Sequence, residues 1–285
     1  MTLGKLRIMS LPLACMGFSL ACGGASHSGP GAASSPEGAS FPSTGDVRLS
    51  YALDLPSGSG PFPAIVFAHG SGRTTKDEAM VVKSAMTRAG FAVLRYDKRG
   101  VGASTGSYEG VGPINGARVL GELADDAAAG VAFLRTRPEI DGHRIGLMGI
   151  SQAGWVIPLA AERAPDVRYM VLVSGPTVPV GLEIYYSDLA EGTSTGYDDL
   201  SRALLDYQGP RGFDPRPTLE RLNVPGLWFL GAQDRSIPTR ETVAILSELR
   251  TAGHAYRWRV FDSYGHFIPQ DEYVSEAAAF AAGFR

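Results

Sequence analysis

The chain has 285 residues, of which 44% are hydrophobic and 19% charged, and its formal net charge is -3. That length and apolar content suffice for one large core or two modest ones. The balance of charge gives no general attraction for nucleic acid, and no long run of Lys or Arg makes a local exception, so nucleic acid is not expected as a partner. Both cysteines lie in the first 22 residues, which excludes a disulfide or a cysteine-based metal site in the folded part.

The N-terminal segment is typical of an exported protein. Lys5 and Arg7 precede a short apolar run over residues 8–21, which is too short to span a bilayer as a mature helix. We therefore predict a signal peptide over residues 1–22. Residues 23–45 are rich in Gly, Ser, Ala and Pro, and this composition predicts a flexible tether.

The small residues before Cys22 resemble a bacterial lipobox, in which the cysteine is lipidated and becomes the first residue after cleavage. Ser19 stands where leucine is commoner, and the alternative is an ordinary secretory signal with an incidental cysteine. The predicted tether favours the lipoprotein interpretation, because a domain anchored at a membrane surface needs a flexible linker. Gly23 after the cysteine, rather than aspartate, implies by the same resemblance the outer membrane of a Gram-negative cell. Periplasmic and secreted locations stay open, and contact with a membrane is expected only through this anchor.

The region after the tether alternates apolar runs with helical patterns. Residues 47–55 alternate apolar with polar or small residues, which predicts a strand with one buried face. Continuous apolar runs then predict strands buried on both faces, as in a parallel sheet. These runs cover residues 64–68, 91–94, 144–148, 169–173 and 227–230. A last strand is expected over residues 256–261 and a last helix over about 272–282.

Between the strands, apolar residues recur at helical spacing, for example over residues 120–134. This alternation predicts a doubly wound, mostly parallel α/β domain over residues 46–285. Residues 175–223 separate two strands by about fifty residues, much more than one crossover helix needs. We predict that they form a small helical cap.

The segment from Gly149 to Gly154 directly follows one predicted strand and precedes a helical pattern, which is the context of a nucleophile elbow. A sharp turn there holds Ser151 in a strained conformation and requires small residues two positions before and after it. Gly149 and Ala153 fill these positions. Ala153 departs from the usual glycine, and Gly154 follows it. A serine that caps a helix N-terminus is the alternative interpretation.

With the elbow, four further segments occur in the order seen in the α/β-hydrolase superfamily, and the chain resembles its bacterial esterase, dienelactone-hydrolase-like and prolyl-oligopeptidase-like branches. The resemblance covers about residues 46–285. The four segments span residues 69–72, 96–104, 231–234 and 265–266.

The segment 96–104 has glycines and basic residues, but no G-K-[ST] follows, so we reject a phosphate loop. The resemblance implies instead a turn that Asp97 and Arg99 brace.

A serine nucleophile requires a base and a carboxylate that fixes the tautomer of that base. Of five histidines, only His266 follows the last strand, where the resemblance places the catalytic histidine. Asp234 follows the strand at 227–230, which gives the chain order Ser, Asp, His of α/β-hydrolases. Asp262 is the competitor. We prefer Asp234 because catalytic groups gather beyond the carboxyl ends of parallel strands.

The tetrahedral intermediate needs two backbone N–H donors for its negative oxygen. Gln152 supplies one, and the resemblance implies that Ser71 supplies the other. Tyr185 and Tyr186 lie in the predicted cap, and we expect at least one of them to face the substrate pocket.

We expect a serine hydrolase that cleaves small or medium hydrophobic carboxylic esters by an acyl-enzyme route, with no cofactor and no metal. A peptidase or amidase and an acyltransferase remain alternatives with the same triad, and a non-catalytic surface-binding protein is a weaker one. The oligomeric state stays open.

Overall fold

The computed structural model describes residues 38–191 and 193–284. The predicted signal peptide, Cys22 and most of the predicted tether lie outside these residues. The described residues form an eight-stranded sheet with helices on both faces. Within this part of the chain, no helix is long and apolar enough to span a bilayer.

The sheet is mostly parallel, as predicted. Its strands stand in the spatial order β1-β2-β4-β3-β5-β6-β7-β8, and only the pairings of β1 with β2 and of β2 with β4 are antiparallel. The strands are β1 Ser40–Pro42, β2 Arg48–Asp54, β3 Phe62–Ala68, β4 Ala92–Tyr96, β5 Ile140–Ile150, β6 Val167–Val173, β7 Gly226–Gly231 and β8 Tyr256–Phe261. The carboxyl ends of β3 to β8 therefore meet at one edge of the sheet, where ligands bind in such folds.

Helices cover the two faces of the sheet. A short 3-10 helix, Lys76–Ala79, leads into the first α-helix. The α-helices are α1 Met80–Arg88, α2 Gly116–Arg135, α3 Ala153–Arg163, α4 Val180–Ala190, α5 Tyr197–Leu205, α6 Arg216–Arg221, α7 Thr239–Thr251 and α8 Gln270–Ala282. Side chains of α1 and α8 share one apolar cluster, while α2, α3, α6 and α7 contribute to the larger cluster. This is the doubly wound α/β arrangement expected from the sequence.

The folded region begins earlier than residue 46, where we placed its start. Ser40–Pro42 pairs with β2, and the side chain of Phe41 is completely buried in the main core. The hydroxyl of Ser43 donates a hydrogen bond to Asp126 on α2 at 2.5 Å. The composition of residues 23–45 hides this strand because a single aromatic residue anchors it among Gly, Ser and Pro.

The insertion between β6 and β7 is helical in its described residues, which contain α4, α5 and α6. Helices α4 and α5 share a small apolar cluster with each other, whereas Leu219 of α6 joins the main core. The buried members of the small cluster are Val178, Leu182, Tyr186, Ala190, Leu200 and Leu204.

Candidate active site

Ser151 occupies a strained turn between β5 and α3. Its φ angle is 53°, in the left-handed region that L-residues rarely adopt, and α3 begins two residues later. The β5 strand lies in the middle of the sheet, so the turn stands at the centre of the edge formed by the strand ends. This is the geometry of a nucleophile elbow.

Close contacts explain the small residues around the turn. A Cβ on Gly149 would lie 2.5 Å from the Cβ of Ala153 and 2.5 Å from the carbonyl oxygen of Ala68. A Cβ on Gly154 would lie 2.5 Å from the backbone nitrogen of Pro176. Both positions therefore require glycine. The methyl group of Ala153, which departs from the usual motif, fits because Gly149 opposite it has no side chain.

Ser151, His266 and Asp234 form a hydrogen-bonded chain. The Nε2 atom of His266 lies 3.1 Å from the Ser151 Oγ, and its Nδ1 lies 2.9 Å from Oδ2 of the buried Asp234. The other carboxylate oxygen accepts the backbone N–H groups of Ser236 and Ile237, each at 2.8 Å. Because a carboxylate only accepts, Nδ1 carries the imidazole proton and Nε2 is free to accept the serine proton.

The competing carboxylate lies elsewhere. Asp262 is exposed, and its backbone carbonyl accepts a hydrogen bond from the side-chain amide of Gln233 at 2.9 Å. The structure thus brings Asp234, and not Asp262, to His266. Two hydroxyl groups stabilise the loops that carry Asp234 and His266. Tyr186 donates to the carbonyl of Asp234 at 2.8 Å, and Ser174 donates to the carbonyl of His266 at 2.8 Å.

The other histidines of the folded region do not meet Ser151. His69 is buried, its Nε2 contacts the carbonyl oxygen of Tyr96 at 2.5 Å, and burial lowers its pKa to about 4. His143 is exposed, and His254 contacts the carbonyl of Leu222 through Nδ1 at 3.0 Å. The neutral His69 is therefore a structural residue below the loop that follows β3.

Two backbone N–H groups close to the serine have no hydrogen-bond acceptor among the described residues. Gly70 lies against the elbow, because a Cβ on it would be 3.4 Å from the Ser151 Cβ. Within the described part of the chain, neither the N–H of Ser71 nor that of Gln152 donates a hydrogen bond. Ser71 lies in the loop after β3 and Gln152 at the start of α3, and their role as oxyanion donors stays a prediction, in the case of Ser71 one that the resemblance implies.

The turn after β4 is braced as the resemblance implied. Arg99 binds Asp126 through two hydrogen bonds of 2.7 Å, and the Asp97 carboxylate accepts the N–H groups of Lys76 at 2.9 Å and Ala103 at 3.0 Å. Within residues 38–191 and 193–284, no group of three or more His, Cys, Asp or Glu side chains could hold a metal ion.

A cavity of about 240 Å³ is lined in part by Ser151 and His266. Its polar neighbours include Glu78, Ser174 and Gln270, and the exposed ring of Phe267 stands beside it. Its walls are mainly apolar side chains of strand ends, α1 and the region of α8: Phe67, Val82, Ile150, Val173, Ile268 and Tyr273.

The structure does not place Tyr185 or Tyr186 in this cavity, contrary to the prediction. Tyr186 is buried with its hydroxyl on the Asp234 carbonyl, and the ring of Tyr185 packs 4.8 Å from that of Tyr207. Tyr185 therefore packs within the cap and Tyr186 supports the loop of Asp234, whereas the cavity lies on the side of α1 and α8.

The sequence of residues 79–285 matches the prolyl oligopeptidase family. The chain belongs to this family. Esterase EstD of Thermotoga maritima is 26% identical over 250 residues, which cover 77% of this chain and 58% of that protein. Acyl-coenzyme A thioesterase 1 of Mus musculus is 30% identical over 204 residues, which cover 66% of this chain and 44% of that protein. This member of the prolyl oligopeptidase family thus spans about half the length of the relatives it matches.

Solved structures support the fold. An esterase of Pyrococcus furiosus superposes with a TM-score of 0.64 at 17% identity, covering 86% of this chain and 88% of the other. Acetyl xylan esterase 1 from a Thermoanaerobacterium species gives a TM-score of 0.60 at 20% identity, covering 86% and 82%. This prolyl oligopeptidase family member therefore has the α/β-hydrolase fold.

Proposed function

We propose that the protein is a serine hydrolase that cleaves carboxylic esters through an acyl-enzyme on Ser151. The observation that carries this proposal is the chain of hydrogen bonds from Asp234 through His266 to a serine held at positive φ. The related esterase and thioesterase sequences support the same reaction class.

The reaction has two halves. His266 Nε2 takes the hydroxyl proton while Ser151 Oγ attacks the ester carbonyl carbon, and the electron pair of the C=O bond moves to the oxygen. The N–H groups of Ser71 and Gln152 hold this oxyanion. When the intermediate collapses, the alcohol leaves with the proton from His266. Water then gives a proton to His266, attacks the acyl group, and releases the acid as Ser151 recovers its proton.

The cavity limits the substrates. At about 240 Å³ it exceeds the roughly 150 Å³ of a protein cavity that binds benzene, so it accommodates a short or medium carbon chain. Its apolar walls disfavour a charged group, which would lose its hydration there. We therefore propose a preference for small or medium hydrophobic esters over charged ones.

A panel of p-nitrophenyl esters of graded acyl length, set beside aminoacyl nitroanilides, tests this function with Ser151→Ala as the control. We expect hydrolysis of the shorter esters that Ser151→Ala loses, apart from a small residue due to the oxyanion donors. The family match makes a peptidase the second candidate, and faster cleavage of the nitroanilides would favour it. Retention of most of the wild-type rate in Ser151→Ala would contradict both.

We also propose, from the sequence pattern alone, that the protein is exported and anchored by a lipid on Cys22, with the tether joining that anchor to the hydrolase domain.

A further inference from the structure

Lys98 is a buried lysine that forms no ion pair with an acidic side chain among the described residues. Its exposed fraction is 2%. Lysine is seldom fully buried unless it is paired, because burial of an unpaired charge is costly. Burial also lowers the pKa of Lys98 to about 7, which the nearby charge of Glu78 offsets in part. Because burial of such a lysine destabilises the fold, its presence indicates a function.

The neighbours of the ammonium group indicate that reason. Nζ donates to the carbonyl oxygens of Gly70 and Gly72, the latter at 3.1 Å, and to the side-chain Oε1 of Gln152 at 3.0 Å. Gly70 and Gly72 flank Ser71 in the chain, and Gln152 follows the nucleophile. All three acceptors therefore belong to the two segments that carry the candidate oxyanion donors.

The bond to Gly70 fixes the direction of one donor. In a planar trans peptide the carbonyl of one residue and the N–H of the next point in opposite directions. The N–H of Ser71 therefore points away from Lys98 when the Gly70 carbonyl points toward it. The ring of Tyr108 completes the enclosure, since its centroid lies 5.3 Å from Nζ and its hydroxyl accepts the N–H of Gly72 at 3.0 Å.

We propose that Lys98 is a positioning residue of the oxyanion hole: it aims the N–H of Ser71 and sets a positive charge beside the two segments that carry the donors. The inference rests on the proposed hydrolase function. In the free protein the ammonium donates its described hydrogen bonds to neutral oxygens, and the negative oxygen of the tetrahedral intermediate adds a countercharge. Such a charge stabilises the transition state more than the neutral ester.

Lys98→Met tests the proposal because it keeps the length of the side chain and removes the charge and its hydrogen bonds. We expect kcat for p-nitrophenyl butyrate to fall by about 30-fold or more while KM changes little, since the interaction acts on the transition state. An alkyl boronic acid, which forms an anionic tetrahedral adduct with the serine, should lose affinity by a similar factor. The matched control is Lys83→Met, which removes a lysine paired with Asp54 away from the site and should keep wild-type kinetics.

A second variant, Gln152→Glu, tests the proposal if Lys98→Met does not fold. Gln152→Glu retains both backbone donors and Lys98 but gives the ammonium a carboxylate neighbour, and we expect kcat to fall by about tenfold with a smaller change in KM. If folded Lys98→Met, or Gln152→Glu in its absence, keeps kcat within about twofold of the wild type, the role of Lys98 is overturned. Ser151→Ala separates the two hypotheses: a rate near the wild type in that variant contradicts the proposed function itself, whereas loss of its activity beside an unaffected Lys98→Met overturns only this inference.

Discussion

Replacement of Asp234 with Asn changes one oxygen to an amide nitrogen at nearly constant shape. In the wild type, Oδ1 accepts the N–H groups of Ser236 and Ile237 at 2.8 Å, and Oδ2 accepts from His266 at 2.9 Å. The amide oxygen of Asn must accept the hydrogen bonds of these two N–H groups, because the NH2 group cannot accept them. The NH2 group therefore faces His266. Nδ1 then has to accept, which puts the imidazole proton on Nε2, toward Ser151.

A proton on Nε2 prevents His266 from taking the proton of the serine. The same change of tautomer in a serine protease lowers kcat by about 10⁴-fold, which is about 5 kcal/mol of transition-state stabilisation. We expect a loss of that order in Asp234→Asn, with KM nearly unchanged. The assay is kcat for p-nitrophenyl butyrate, and the matched control is the exposed Asp262→Asn, which should stay near the wild type. A loss below tenfold in Asp234→Asn, or a large loss in Asp262→Asn, would refute the assignment.

Further predictions concern the cavity, the supporting loops and the N-terminus. Phe267, with 73% of its surface exposed beside the cavity, should contact longer acyl chains, so Phe267→Ala should raise KM for a hexanoate ester about fivefold and leave the acetate ester less changed. Tyr186→Phe removes the hydrogen bond to the Asp234 carbonyl and should lower the unfolding free energy by about 1 kcal/mol in urea titrations; an unchanged value would contradict that support. The stabilisation from neutral His69 is complete above pH 6.5 and is lost as the pH falls toward 4, because burial lowers its pKa to about 4. Urea titrations at pH 7 and 4.5 should therefore show a loss of up to about 3 kcal/mol that His69→Phe does not share. Cys22→Ser or globomycin should leave an unprocessed or mislocalised precursor in fractionated cells, whereas an efficiently secreted soluble form would indicate an ordinary signal peptide.

The sheet and the elbow could be predicted because their signals are local. Continuous apolar runs mark the parallel strands, and the requirement for a small residue at Gly149 follows from the crowding of strand against helix. The choice of Asp234 over Asp262 followed from topology, since Asp234 comes after β7 at the edge where Ser151 also lies. These inferences needed no knowledge of side-chain orientation.

The pocket and Lys98 could not be predicted in the same way. Tyr186 occurs at helical spacing with other apolar residues of the cap, and spacing does not tell whether a buried ring faces substrate or the Asp234 loop. Lys98 lies between two charged neighbours in a polar turn, which is typical of an exposed residue. Its burial depends on loops from three separate strands, and only the folded chain shows that Gly70 and Gln152 converge on its ammonium group.

Trapping of the acyl-enzyme would show whether Ser151 is the nucleophile. The protein would be mixed with excess p-nitrophenyl butyrate, quenched in acid within the first turnovers, digested and examined by tandem mass spectrometry. We expect a burst of p-nitrophenol and a butyryl group on Ser151, both absent from Ser151→Ala. A butyryl group on another residue, or turnover by Ser151→Ala at the wild-type rate, would contradict this role of Ser151.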